Sequence, residues 1–431
     1  MNHNNNPAEK KAVIIGLDGV PCSLLNYYIE QGVMPHLKEI VASGTLMPMQ
    51  SSLPEVSSVA WTSFMTGKNP AHHGIFGFME LDRSNYEYLF PNYFSVKSPT
   101  FWEELDVPTV AVNIPQTYPA KSINGVLVSG FVALDLEKAV YPSRIYEYLN
   151  SIRYKLDVNS TLAVKDPEAF FKNLFEVFEK RIEAIKYLYS QEEWQIFIGT
   201  VTETDRLHHF FFDSARSGKY YDIFADFYNK IDKFLWEIYV RAEKDQAIFL
   251  TCSDHGFTTI NTEVYVNQYL KENGFLRVSG NNGFKGITSD SRALCLEPAR
   301  VYLHLKNKYS LGNVSQSEYE STRNELKTLF ESLTFNGKNI VNKVFLKEEI
   351  FSGTFIAEAP DMYILAEPGF DMKASLNKEA TFGLSHFKGA HTYNDAHLYL
   401  SNNYAYNLPA NLSIEDIPSI IKKHFAGGKD Q

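Results

Sequence analysis

The chain has 431 residues, 44% hydrophobic and 14% aromatic, enough apolar material for one large α/β domain with an insertion or for two or three ordinary domains. Its formal net charge of −10 argues against a general affinity for nucleic acid or acidic membranes, which needs a basic surface, yet leaves room for a local cationic site made by metal ions. Cys22, Cys252 and Cys295 are too scattered for a disulfide framework or a thiolate zinc site. Residues 1–11 lack the apolar core of a signal peptide, and no apolar run approaches transmembrane length, so a soluble cytoplasmic protein is expected.

Residues 1–10 are polar and expected to be disordered. KAVIIGL (11–17) is a short apolar run rich in β-branched residues, which predicts a buried strand of a parallel sheet ending at Asp18-Gly19. Residues 35–43 predict an amphipathic helix with Pro35 at its start and Gly44 after its end. LPEVSSVAWTSFMTGKNPAHHGIFGF (53–78) follows. There Ser57-Ser58 opens a helix-compatible run that closes at Gly67. A serine at such a helix start is either an N-cap or a group beside unpaired backbone N–H donors that bind phosphate.

Residues 80–105 are aromatic and irregular. Strands are predicted over 108–113, 124–131, 195–201 and 247–251, and long amphipathic helices over 167–189 and 219–241. A helix is expected to begin at Arg206. This alternation predicts an α/β fold, with a mainly parallel central sheet sandwiched by helices. Residues 273–380 read differently, with Gly/Asn/Ser-rich stretches, a charged helix near 315–332 and strands near 299–305, 341–346 and 360–365. They are expected to form an inserted cap region between a core of 11–272 and its last part, 381–425, which ends in a helix over 413–424.

Four places put metal-type ligands at a predicted strand end: Asp18, the Asp205/His209 pair, Asp254-His255 and His391. Asp205 and His209 lie one helical turn apart on one face. In a parallel sheet these strand ends share one edge, so the ligands can converge. A carboxylate–imidazole set without thiolate suits zinc, and manganese or iron less well; two divalent ions could share these six ligands and a serine oxygen.

The segments IGLDGV, MPHLKEIVASG, PEVSSVAWTSFMTGKNPAHHGIFGF, NIPQTYP, NGVLVSGF, TETDRLHH, SDHGF, APDMYI and GAH occur in this order. In this the chain resembles the alkaline phosphatase superfamily, and within it the type I phosphodiesterase/nucleotide pyrophosphatase family and its bacterial predicted phosphohydrolase branch. The resemblance implies one metal ion on Asp205, His209 and His391, and a second on Asp18, Asp254, His255 and the nucleophile Ser57. Members usually carry threonine at that position. Three residues on, where nucleotide pyrophosphatases carry a phosphate-binding asparagine, this chain has Ala60. The Cys/Ser-x-Pro-x-Arg motif of sulfatases is absent from the sequence.

The function implied is metal-dependent hydrolysis of a phosphodiester through a covalent phosphoserine, with two divalent ions, zinc first and manganese second. A phosphomonoesterase or phosphomutase on the same scaffold is the alternative among enzymes, and a non-catalytic phosphate-ligand binding protein the alternative of another class. The expected partner is a small phosphoester, with neither nucleic-acid polymer nor membrane. His208, His36 and His397 are expected to be structural, and Trp61 to belong to the core.

Overall fold

A computed structural model describes residues 10–401 and 408–427, so the expectation for residues 1–10 lies, save for Lys10, outside the described residues. The chain divides into two compact units. Among the described residues, the first comprises those up to Lys68, Pro99–Phe257 and those from His391 onward. The second comprises Asn69–Ser98 and Thr258–Ala390.

The first unit is built on an eight-stranded sheet. Its strands in chain order are β1 (Ala12–Leu17), β2 (Gly44–Met49), β3 (Thr109–Ile114), β4 (Gly125–Ser129), β5 (Val140–Tyr141), β6 (Ile196–Val201), β7 (Ile248–Cys252) and β8 (Ala396–Ser401). Across the sheet they run β2-β8-β7-β1-β6-β3-β4-β5. The five inner strands, β7-β1-β6-β3-β4, are parallel. The edges are antiparallel: β8 on β7, β2 on β8 and β5 on β4.

β1, β3, β6 and β7 are buried at every residue, as continuous apolar runs covered on both faces must be. Side chains alternate across a strand, so Val13, Ile15 and Leu17 share one face. They join the largest core cluster with apolar residues of two long helices, α4 (Pro167–Gln191) and α6 (Tyr221–Lys244). The opposite face of β1, at Gly16, meets the ring of Trp61 from helix α3 (Ser57–Thr66). Helices α1 (Cys22–Glu30) and α2 (Pro35–Ala42) follow β1, with Pro35 in the first turn of α2. Helix α7 (Ile417–Ala426) is the last element among the described residues and follows a 3-10 turn over Ile414–Asp416.

All ten residues of α3 are buried, although five of them are Ser or Thr. The helix accommodates two of these hydroxyls by bonding them to its own preceding turn: Thr62 Oγ1 donates to Ser58 O at 2.6 Å and Thr66 Oγ1 to Thr62 O at 2.8 Å.

The second unit holds a four-stranded sheet of Ala293–Leu296, Arg300–Leu303, Met362–Ala366 and Val341–Leu346, with a helix over Tyr319–Glu331. It contains all of 273–380 but is wider than that expectation. Residues 69–98 belong to it because Arg300 bonds Met79 O at 2.6 Å and Glu80 Oε1 at 2.5 Å, and Phe355 N–H donates to Ala71 O at 2.8 Å. These are contacts between segments far apart in sequence.

Candidate active site

The inner strands β7, β1 and β6 are neighbours and parallel, so the residues that follow them emerge along one edge. Asp18 follows β1 directly, and Asp254 and His255 come two and three residues after β7. Asp205 lies in the first turn of α5 (Glu203–Phe211), which starts from Thr202 just past β6. That helix begins at Glu203, three residues earlier than expected, which fixes Asp205 and His209 on the same helix. His391 sits in a short strand, Gly389–Thr392, and Ser57 is the first residue of α3.

All seven side chains predicted from the sequence converge. Asp205 Oδ1, His209 Nε2 and His391 Nε2 form a triangle with separations of 3.3, 3.1 and 3.4 Å. His255 Nε2 lies 3.3 Å from Asp254 Oδ2 and 3.7 Å from Asp18 Oδ1. Ser57 Oγ lies 3.2 Å from His255 Nε2 and 3.4 Å from Asp18 Oδ1. The two clusters adjoin, because the His255 ring stacks on His391 with centroids 3.5 Å apart. His255 is in fact within ligand range of both, with Asp18 and Asp254 on one side and with Asp205 and His391 on the other. Ser57 is not a side-chain cap: the N-cap of α3 is Val56, which offers no side-chain hydrogen bond.

Each carboxylate has one oxygen held by a donor from the chain. The Gly19 N–H donates to Asp254 Oδ1 at 3.0 Å, Trp61 Nε1–H to Asp18 Oδ2 at 2.9 Å, and Arg206 Nη1–H to Asp205 Oδ2 at 3.0 Å. Gly19 has φ +65, and a Cβ there would meet Phe257 at 2.6 Å, so the turn that presents Asp18 and the Asp254 donor requires glycine. The other oxygens of Asp254 and Asp205, Oδ2 and Oδ1, are buried without a hydrogen-bond partner. Backbone carbonyls fix two imidazoles: Nδ1 of His255 faces Gly256 O at 3.1 Å and Nδ1 of His391 faces Glu55 O at 2.8 Å. With the proton on Nδ1, each Nε2 lone pair points into the cluster.

The electrostatics match a cation-binding site. Burial, reinforced by the charges of Asp254 and Asp205, pushes the Asp18 carboxyl well above the ordinary range, and burial pushes Asp254 up to about 7. Burial also disfavours ionised Asp205, but His209, with His391 and Arg206, outweighs it and holds that carboxyl well below the usual range. Burial pushes the His255 and His209 imidazoles down, which keeps both as neutral ligands. Three buried carboxylates with two unpartnered oxygens, together with the neutral imidazoles of His209 and His255, fit a pair of divalent ions. The mixed O/N donor set accommodates zinc.

The family model for type I phosphodiesterase / nucleotide pyrophosphatase matches residues 12–394. The chain belongs to this family. It is accordingly a hydrolase acting on phosphoric ester bonds, in a divalent-metal-dependent class. Among solved structures, phosphonoacetate hydrolase from Sinorhizobium meliloti 1021, bound to phosphonoformate, matches with a TM-score of 0.65 and 16% identity, over 97% of this chain and 96% of that one. Murine ectonucleotide pyrophosphatase / phosphodiesterase 5 matches with a TM-score of 0.55 and 11% identity, and the human protein with 0.56 and 13%, each over 97% of this chain and 95% of the other. At these identities the likeness is one of fold. No curated protein matches the chain.

Other residues singled out from the sequence take structural places in this family member. His208 is buried, with Nδ1 at 2.9 Å from Gly19 O and Nε2 at 2.8 Å from the Tyr228 hydroxyl. His397 is buried with Nδ1 at 2.9 Å from Val20 O, and His36 stacks on Trp236. Sequence reasoning placed Trp61 in the core, where it is, but missed its bond to Asp18. It also missed Asp157, whose carboxylate grips Arg206. The four-residue step from Ser57 to Trp61, one helical turn, was the available signal for the first. Asp157 lies between predicted elements and carried none. Among the described residues no helix is long and apolar enough to cross a membrane.

Proposed function

We propose that the protein hydrolyses a phosphodiester at two divalent metal ions, zinc in the first place and manganese in the second, with Ser57 as nucleophile and a covalent phosphoserine intermediate. The observation that carries this is the position of Ser57 Oγ, 3.2 Å from His255 Nε2 and 3.4 Å from Asp18 Oδ1, inside the ligand cluster and at the first turn of α3. Asp205, His209 and His391 would hold one ion, and Asp18, Asp254, His255 and Ser57 the other. Bound ions of this kind lower the pKa of an oxygen nucleophile and neutralise charge on the phosphoryl and leaving oxygens.

The chain's own groups account for the rest. Ser57 Oγ loses its proton and bonds to phosphorus as the bond to the departing oxygen breaks, and that oxygen takes up a proton and leaves as the alcohol. Water then attacks the same phosphorus, the Oγ–P bond breaks, and Ser57 regains its proton. Splitting one displacement into two eases each. The N-terminus of α3 adds positive potential beside the phosphoryl oxygens.

One observation favours a diester over a monoester. Arg206, next to the ligand Asp205, is committed to Asp157 and Asp205, so its charge is already balanced. A monoester dianion needs an extra donor set beyond the ions. The phosphonoformate held by the Sinorhizobium enzyme supports a small phosphorus-bearing substrate rather than a polymer. The three buried free thiols support a reducing, cytoplasmic setting, which cell fractionation would contradict if the protein appeared outside the cytoplasm. The decisive assay compares bis-p-nitrophenyl phosphate with p-nitrophenyl phosphate on zinc-loaded protein. Turnover of neither ester, nor of any in a wider chromogenic panel, would contradict the phosphodiesterase reading.

A further inference from the structure

Helix α3 meets Asp18 at two points. Ser57 Oγ reaches Oδ1 at 3.4 Å, and one helical turn later Trp61 donates its indole N–H to Oδ2 at 2.9 Å. Trp61 is fully buried, and its ring lies against β1 at Gly16. A Cβ at position 16 would stand 2.5 Å from Trp61 Cη2. The indole therefore reaches Asp18 over a strand residue that leaves it room, two positions before the carboxylate it bonds.

We infer that Trp61 is a positioning residue for the metal ligand Asp18. The indole pins Oδ2, so that Oδ1 is the oxygen turned toward Ser57 and His255. Asp18 is buried, and without the indole its Oδ2 would be left a buried acceptor with no hydrogen-bond donor. An outer donor of this kind fixes the orientation of a ligand, and its loss typically costs about 10- to 100-fold in metal affinity. Nucleophile and donor share one short helix, so Ser57 and the carboxylate it faces are held in one rigid arrangement. The other two carboxylates receive their outer donors from Gly19 and Arg206, residues adjacent to ligands in sequence. Trp61 alone of these three donors comes from the nucleophile's own helix.

The inference rests on the two-metal function proposed above, and the test separates the two. The full chain is stripped of metal, and zinc affinity and stoichiometry are measured by competition with a chromophoric chelator. Trp61→Phe keeps a ring in the core but removes the N–H; Gly16→Ala keeps the indole but pushes it off the strand. Phe64→Leu is the packing control, since Phe64 lies edge-on to Trp61 at 5.4 Å with no polar contact to the site. Trp61→Phe, or Gly16→Ala where the first variant does not fold, is expected to weaken one zinc site about 10- to 100-fold and leave the other as in wild type. Phe64→Leu is expected to leave both sites unchanged. Wild-type affinity at both sites in the Trp61 and Gly16 variants would overturn the inference, as would an equal loss in Phe64→Leu. A wild-type protein that takes up no divalent ion would instead overturn the two-metal function itself.

Discussion

Arg206 and Asp157 form a two-edged ion pair, with Nε donating to Oδ1 at 3.0 Å and Nη2 to Oδ2 at 2.9 Å. The guanidinium also lies 4.1 Å from the Phe131 ring centroid, and its Nη1 donates to Asp205. Asp157 thus balances the one arginine that adjoins a proposed ligand. Wild-type protein should prefer the diester, with a specificity-constant ratio of bis-p-nitrophenyl to p-nitrophenyl phosphate above unity. Asp157→Asn should move that ratio toward the monoester by about ten-fold, the effect of ~1.4 kcal/mol from one newly unbalanced charge. An unchanged ratio in the variant would show that Arg206 has no say in substrate charge.

Metal content should follow the two clusters. Asp205→Asn and His391→Ala are each expected to deplete one ion, and Asp254→Asn the other, by elemental analysis after dialysis. His255 is within ligand range of both clusters, so His255→Ala should lower the occupancy of both. One bound ion in fully active wild-type enzyme would contradict the two-metal arrangement.

His397 links β8 to the loop that follows Asp18, through Val20 O. Burial pushes its imidazole down to about 4, and its Nε2 is buried without a partner, so a second ring proton has nowhere to bond. The unfolded chain takes up that proton below about 6.5, while the folded one resists it until about 4. The stabilisation from neutral His397 is therefore complete above the unfolded value and lost as pH falls toward the folded one. Thermal denaturation of wild type should show the midpoint falling across that window, and His397→Asn should fall less steeply. Parallel profiles would exclude His397 as a source of acid lability.

Much of this was legible in the sequence because it rests on local pattern. β1, β3, β6 and β7 are unbroken apolar runs, and the ligands follow three of the inner strands and open the last, short segment before β8. The antiparallel pairings at the sheet edges were not legible. GTLMPM of β2 carries a proline and alternates weakly in burial, so it reads as loop until β8 pairs with it. The helix carrying Asp205 starts at Glu203 because acidic residues in its first turn suit a helix N-terminus, a preference the spacing alone did not reveal. Trp61 and Asp157 act across 43 and 49 residues, on Asp18 and Arg206 respectively. Periodicity tells which side of an element a residue occupies, and not which distant carboxylate or guanidinium waits there.

The proposed mechanism stands or falls with Ser57 as the nucleophile. Ser57 Oγ faces the cluster, whereas Ser58 Oγ, its neighbour on α3, is buried without a partner. The most direct measurement is phosphodiester turnover by Ser57→Ala and Ser58→Ala, each zinc-loaded, with metal content and folding checked on the same samples. Ser57→Ala should lose at least about a thousand-fold in kcat with its fold intact and its metal nearly so, while Ser58→Ala keeps most activity. Activity retained in Ser57→Ala and lost in Ser58→Ala would contradict the account.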